Sequence, residues 1–215
     1  MNLTDILLGM NKLRVMVACE ASGRVRDAFR ARGHDAWSCD VLIGQGEQYH
    51  ITGDVLDHLD DGWDLMIAHP PCTYLASSGM HRTINGERDP QLTDDALKFV
   101  ADLMDANIPK ICIENPVGII STHLLPLRPK FRLQYIQPYD FGEDASKRTG
   151  LYLKGLPNLI PTKYVPPRFV NGAMRWANQA DSGQNRLGPS EDRWQERSIT
   201  CKGVAEAMAE QWGLL

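Results

Sequence analysis

The chain predicts an α/β fold with a doubly wound, mostly parallel sheet. Three observations carry that expectation. Short apolar runs stop abruptly at polar residues, a strand–helix–strand unit opens the chain, and a helix with apolar residues at helical spacing separates two of the apolar runs. Leu13 to Ala18 reads as the first parallel strand, followed by a turn holding Ser22 and Gly23. Val25 to Arg32 reads as a helix closed by Gly33, the residue type that best tolerates the left-handed conformation at a helix end. Asp35 to Cys39 is the second strand and ends at Asp40, completing a βαβ unit with a right-handed crossover. Residues 43–53 are irregular and lead into Gly53-Asp54-Val55. Asp64 to Ala68 is the next strand and runs into His69-Pro70-Pro71-Cys72. Residues 77–95 are expected to form a long polar loop of the lid or binding type. Gln91 to Ala106 reads as a helix with Leu92, Ala96, Phe99, Val100 and Leu103 on one face. Lys110 to Glu114 reads as a strand, as do Leu133 to Gln137 and Gly150 to Lys154. Beyond Gly155, Pro157, Pro161, Pro166 and Pro167 break regular structure, and Val204 to Trp212 closes the chain as a helix. The expected organisation is a core over residues 1–154, a small irregular basic insertion over 155–200, and a C-terminal helix over 201–215 that packs back on the core.

Composition bounds the function. The 215 residues are 43% hydrophobic and 23% charged, as in an ordinary soluble domain, and no run approaches a membrane span. Residues 1–10 lack a signal-peptide layout, so a cytoplasmic location is expected, and either Met1 or Met10 can serve as the start. Five cysteines, an odd number with no Cys-x-x-Cys pair, argue against a disulfide framework and against a zinc module, so no metal is expected. Charge is uneven: residues 147–202 carry ten Lys/Arg against four Asp/Glu, while the remainder carries thirteen against twenty-three. A basic segment on an acidic protein suits a polyanion, although a solvated basic face would have the same composition.

Ligands of open parallel sheets bind outside the carboxyl ends of the strands. Glu20 to Gly23, Asp40, Cys72 and Glu114 all fall at predicted strand ends, with Asp54 in a loop able to reach the same edge. An acid ending the second strand can take both hydroxyls of a ribose, while Asp40 as a surface or capping acid, and Asp54 as a turn residue, are the plain alternatives. Pro70 and Pro71 fix the backbone before Cys72, and a positioned thiol loses less entropy in reaching its target. A thiol and a neighbouring carboxylate suit covalent addition to an electron-poor ring, with a proton passed to the ring during attack.

These residues resemble the DNA (cytosine-5) methyltransferase family, in a short form like those of bacteriophages and prophages. Pro71-Cys72 matches its Pro-Cys nucleophile motif, with Ser77-Ser78-Gly79 in the flexible loop that follows, and Glu114-Asn115-Pro116-Val117-Gly118 resembles its Glu-Asn-Val motif. Cys19, Glu20, Ala21, Ser22 and Gly23 occupy the first glycine-rich turn, Asp40 the ribose acid with Val41 beside it, and Gly53-Asp54-Val55 the turn beside the adenine. Gly203-Val204-Ala205 resembles the last motif, and Lys147-Arg148 is the nearest candidate for the Gln-x-Arg-x-Arg motif. The resemblance implies a Rossmann-like sheet of the class I S-adenosylmethionine-dependent type. It implies S-adenosylmethionine as cofactor, held by Cys19, Glu20, Ala21, Ser22, Gly23, Asp40, Val41, Asp54, Val55, Pro70 and Val204. Cys72 would add to C6 of a flipped-out cytosine, Glu114 would bond or protonate N3, and Lys147 and Arg148 would assist. Double-stranded DNA would be gripped by Ser77, Ser78, Lys147, Arg148, Arg168, Arg175, Arg186, Arg193 and Arg197, by a monomer acting in a bacterial or phage-infected cell, as in restriction–modification. Trp176 and Trp194 either stack on bases or fill a small core, the core being favoured. Three other readings are weighed: the same chemistry on RNA or a pyrimidine nucleotide; an amino-group methyltransferase, whose Asn/Asp-Pro-Pro-aromatic motif is not matched by His69 and Cys72 and which leaves Glu114 without a role; and a non-catalytic DNA-binding homologue, suggested by Glu20 in the first turn and Thr73 after the cysteine.

Overall fold

A computed structural model describes residues 12–45, 47–188 and 199–215. Its sheet is the Rossmann-like one expected. Strands β1 (Arg14–Ala18), β2 (Asp35–Asp40), β3 (His50–Thr52), β4 (Leu65–Ala68), β5 (Lys110–Pro116), β6 (Arg132–Ile136) and β7 (Thr149–Lys154) lie in the order β3-β2-β1-β4-β5-β7-β6. Strands β1 to β5 pair in parallel, and β7 runs antiparallel to both β5 and β6. The chain reverses its direction of travel across the sheet between β1 and β4. The carboxyl ends of these two strands therefore form the switch point at which open α/β sheets bind ligands.

Five α-helices accompany the sheet among the described residues: α1 (Arg24–Arg30), α2 (Ser77–Ile84), α3 (Gln91–Asp105), α4 (Ile120–His123) and α5 (Lys202–Trp212). Side-chain alternation sorts the strands' apolar residues onto two faces. Val15, Val17, Leu65, Ile67, Cys112, Leu151 and Leu153 face α1 through Val25 and Phe29, and α5 through Val204, Met208 and Trp212. Met16, Ala18, Met66, Ala68, Ile111 and Ile113 face α3 through Val100, Leu103 and Met104. Strands buried on both faces have no polar stripe, which is why they read as continuous apolar runs. No helix among the described residues is long and apolar enough to cross a membrane.

Three expectations are corrected. Residues 43–53 are not all irregular: His50–Thr52 pairs with Ser38–Asp40 as β3, an edge strand too short and too exposed to leave an apolar run. The polar stretch after Cys72 is not all loop: Ser77–Ile84 forms α2, ended by Asn85 and by Gly86 at φ 75°. This helix buries no side chain, so it leaves no apolar periodicity in the sequence. The segment after Gly155 is not wholly irregular either. It carries a hairpin, β8 (Arg168–Val170) and β9 (Ala173–Arg175), turned at Asn171-Gly172 with both residues at positive φ.

The C-terminal helix docks through a glycine. A side-chain carbon at Gly203 would run into the Phe141 carbonyl oxygen. Gly203→Ala is expected to lower stability by about 1–3 kcal/mol, the usual penalty of forced overpacking, read as a lower urea midpoint at unchanged m-value.

Candidate active site

Register brings two polar side chains together at the switch-point edge. Ala68 pairs with Ile113, so the next residues, His69 and Glu114, sit side by side on the sheet face shared by Ile67 and Cys112. His69 Nδ1 donates to Glu114 Oε2 at 3.1 Å, and the two side chains are only 7% and 13% exposed. Burial alone would raise the Glu114 pKa. The Lys147 cation, the His69 hydrogen bond and charge, and the Thr149 hydroxyl outweigh burial and hold it below the usual carboxylate range. A raised pKa is what proton donation to a ring would suggest, and the neighbouring cations reverse that expectation. Glu114 also does not cap the following helix, which starts only at Ile120 behind Ile119.

Cys72 lies on a turn fastened to the end of β5, the strand that carries Glu114, and to the segment after it by one side-chain and two backbone bonds. The Asn115 side-chain Nδ2 donates to the Pro70 carbonyl (3.0 Å), Ser77 N to Val117 O (3.0 Å), and Ile119 N to Leu75 O (3.0 Å). The Cys72 carbonyl accepts from Leu75 N and Ala76 N, closing the turn, while its side chain is exposed. Arg88 donates to the Thr73 carbonyl at 2.8 Å, placing a cation at this turn. The other cysteines are kept as thiols: burial pushes Cys39 up to about 11 and raises Cys19, Cys112 and Cys201 as well. Only Cys72 of the five is exposed.

Gly118 is the tightest point of this fastening, since a side-chain carbon there would strike the Leu75 carbonyl oxygen and the Ala76 backbone. Backbone on both sides leaves no flexible group to yield. Gly118→Ala is expected to cut turnover at least tenfold by displacing the Cys72 turn relative to Glu114. Single-turnover kinetics beside a far-ultraviolet spectrum unchanged from wild type would check this.

The first turn is organised by Glu20, which is 5% exposed. Its Oε1 accepts from Ser22 Oγ (3.1 Å) and Val25 N (2.8 Å), and its Oε2 from Arg26 N (3.3 Å). The carboxylate thus satisfies amides at the start of α1, where a negative charge is favoured. Gly23 holds φ 69°, and the Arg26 guanidinium fills the space a side chain would need. Buried Arg26 then donates to Ser38 Oγ on β2 (3.0 Å) and to the Gln45 carbonyl (2.9 Å), locking the turn against the next strand. Asp40 and Asp54 converge on Cys19, whose thiol they help to push up after burial. Asp40 Oδ1 accepts from Leu42 N, and Asp54 Oδ1 caps a short 3-10 turn at Leu56 N. Val41 and Ile43 are exposed beside Asp40, whereas Val55, Pro70 and Val204 are buried, with Val204 packed in the core under α5.

The basic segment is partly assembled. Lys147 stands beside Glu114, and the Arg148 guanidinium covers the Tyr135 ring at 4.2 Å. Asn178 bonds both Ser146 N and Ser146 O, tying the β8–β9 region to the Lys147 strand entry. Arg168, Arg175 and Arg186 line one groove with Asp144, and Arg168 pairs with Asp181 at 2.6 Å. Trp176 fills a small core, stacked on Tyr139 at 4.1 Å and donating to the Val165 carbonyl. Ser77 and Ser78 are exposed at the start of α2. Arg193, Arg197 and Trp194 lie outside the described residues. No cluster with metal-ligand character occurs among the described residues.

Sequence reasoning missed His69, Thr149, Arg26 and Arg88. Only His69 left a signal, since its place one residue past β4 is opposite Glu114 once the strands are in register. It also missed Phe169 and Met174, an exposed apolar pair on the hairpin.

No family model and no curated protein matches the sequence. Solved structures similar in fold include a protein described as a DNA modification methyltransferase encoded within an E. coli prophage (16% identity, TM-score 0.46, 73% of this chain and 53% of that one). They also include the Entamoeba histolytica methyltransferase EhMeth (16%, 0.49, 73% and 58%) and the S. pombe Dnmt2 methyltransferase (17%, 0.42, 68% and 50%). The chain spans about half the length of these structures.

Proposed function

We propose that the protein is a DNA (cytosine-5) methyltransferase that uses S-adenosylmethionine and a covalent Cys72 adduct. One observation carries the reading: the turn presenting the exposed Cys72 is fastened by paired backbone bonds to the segment that follows β5, the strand that presents Glu114, at the carboxyl edge of the sheet. A nucleophile and an acid held in one frame are what addition to C6 with proton delivery to N3 requires.

The residues present fit the cofactor. Asp40 ends β2 with exposed Val41 and Ile43 beside it, a carboxylate for ribose hydroxyls next to an apolar surface for a purine. When bound, S-adenosylmethionine supplies an electrophilic methyl group. The chain's own part is to hold the ring, to add Cys72 to C6 so that C5 becomes nucleophilic, and to stabilise the charge at N3 through Glu114. Arg168, Arg175 and Arg186, joined to the Lys147 strand entry through Asn178, supply cations for a phosphate backbone.

The test is a duplex containing 5-fluorocytosine incubated with the protein and S-adenosylmethionine. Fluorine cannot leave C5 as a proton does, so a denaturant-stable, cofactor-dependent protein–DNA adduct traps the intermediate. Adduct only with RNA or a nucleotide moves the substrate and keeps the chemistry. DNA binding without cofactor binding favours the non-catalytic homologue, for which Glu20 at the start of α1 is the supporting observation.

A further inference from the structure

We propose that the β8–β9 hairpin is a wedge for double-stranded DNA, with Phe169 and Met174 entering between bases and unstacking them, a role that rests on the methyl-transfer reading for its target. The strand register sets the geometry. Arg168 pairs with Arg175, Phe169 with Met174 and Val170 with Ala173, and Asn171-Gly172 turns the chain at positive φ. Side chains alternate between the two faces of such a ribbon, so Phe169 and Met174 stand together on the face opposite the two arginines. Both are exposed, Phe169 by 73% and Met174 by 52%. An aromatic ring left in water adds little burial to the fold, so the pair is a surface offered to something else.

A two-stranded hairpin alone is marginal in water, and this one is held at its root. Arg168 donates to Asp181 Oδ1 (2.6 Å) and to the Gln179 carbonyl (2.7 Å), and Arg175 donates to the Asp181 carbonyl (3.2 Å). Just past β9, Trp176 stacks on Tyr139 at 4.1 Å and donates to the Val165 carbonyl. Asn178 then bonds both backbone groups of Ser146, next to Lys147, whose cation acts on Glu114. These bonds tie the apolar face of the hairpin to the strand entry that borders the active site. A wedge must be stiff, because a ribbon that yields cannot part stacked bases.

Charge selects the occupant. Residues 147–202 carry ten Lys/Arg against four Asp/Glu, and Arg168, Arg175 and Arg186 line the groove at the root of the hairpin. Such a segment draws a polyanion. Phosphates take the guanidinium groups, whereas a phenyl ring and a thioether take the faces of bases. Phenylalanine and methionine are among the side chains that proteins insert between base steps. The order along the ribbon fits both halves of the ligand. The arginines sit where the strands begin and end, which suits a backbone, and the apolar pair lies one residue nearer the turn, which suits the base stack. A protein partner needs about 800 Å² on each side, more than two side chains on a ribbon of three residue pairs supply. Chemistry at C5 of a duplex cytosine requires the base to leave the stack, and contact with Phe169 offsets part of the stacking lost.

The experiment compares wild type, Phe169→Ala and the double variant Phe169→Ala/Met174→Ala on DNA duplexes carrying 2-aminopurine beside cytosine, with urea midpoints measured alongside. Both side chains are exposed, so the midpoints should match wild type. Wild type should raise the 2-aminopurine fluorescence as the base unstacks. Phe169→Ala should lose most of that rise and bind about tenfold more weakly, the effect of one lost base–aromatic contact. The slope of log affinity against log salt should not change, because no phosphate contact is lost. Adduct formation on paired 5-fluorocytosine should fall about tenfold in Phe169→Ala. Opposite an abasic site it should return to within about threefold of wild type, because an unpaired base leaves the stack more readily. A double variant with wild-type affinity and an unchanged fluorescence rise, or an adduct defect equal on both duplexes, overturns the wedge and leaves the methyl-transfer reading standing. A stacking signal on RNA alone, or a wild-type dimer that Phe169→Ala dissociates in sedimentation, likewise overturns it. A wedge signal on DNA from a folded wild type that forms no adduct on DNA, RNA or nucleotide keeps the hairpin's role and overturns the methyl-transfer reading.

Discussion

Cys72→Ser is expected to abolish adduct formation and lower methyl transfer about 10³-fold or more, with no loss of stability. The two halves of that expectation come from different features. Cys72 is exposed, and the turn is closed through its carbonyl, which serine retains. Substitution at such a position normally changes stability by under about 0.5 kcal/mol. The chemistry fares otherwise, because a hydroxyl is far less acidic and far less nucleophilic than a thiol. The Arg88 guanidinium at the Thr73 carbonyl can stabilise an anion already formed but cannot accept a proton. Cysteine substitutions elsewhere provide the control. Cys112→Ser buries a hydroxyl in the core between β4 and β7, so it should lower stability while leaving any surviving folded protein able to form adduct. If Cys72→Ser still yields the denaturant-stable adduct, covalent addition through Cys72 is wrong.

Strands β1, β2, β4, β5, β6 and β7, the C-terminal helix and the helix over Gln91–Asp105 were legible in the sequence because each carries a continuous or periodic apolar face, whereas the short, partly exposed β3, β8 and β9 were not. Cys72 and Glu114 were legible because each follows such an apolar run, although β5 itself continues past Glu114 to Pro116. Helix α2 was not, since all of its side chains stay at least partly exposed and it is held by Ser77 N bonding Val117 O, a partner forty residues away. Glu20 misled in a useful way. Read as a departure in a glycine-rich turn, it instead replaces water or ligand at the amides of α1, and its companion Arg26 occupies the space over Gly23. Neither bond is encoded by spacing along the chain. The sign of the Glu114 pKa shift was illegible for the same reason. It depends on Lys147 arriving from a strand that enters the sheet antiparallel, which only the topology decides.

Glu114→Gln is the second large effect. Glutamine matches the carboxylate in size and can still accept from His69 Nδ1, but it cannot pass a proton to N3. Methyl transfer should fall about 10²–10⁴-fold, with adduct formation falling in parallel because the same proton accompanies thiolate attack. Stability responds to pH with a definite sign. The folded pKa of Glu114 is depressed below its unfolded value by Lys147, His69 and Thr149 against the cost of burial. Its contribution is therefore present above the unfolded carboxyl pKa, near 4.3, and is lost as pH falls through the depressed folded value. Glu114→Gln should thus be less stable than wild type at pH 7, and the gap should close on acidification below about pH 4. Urea midpoints at pH 7 and at about pH 3 measure it. A gap that persists in acid would mean that packing, and not the Lys147 and His69 partners, accounts for the loss. A Glu114→Gln protein of equal stability at both pH values would mean that the cations do no more than offset burial. His69 and Lys147 would then matter for orienting the Glu114 carboxylate and not for holding the sheet edge together.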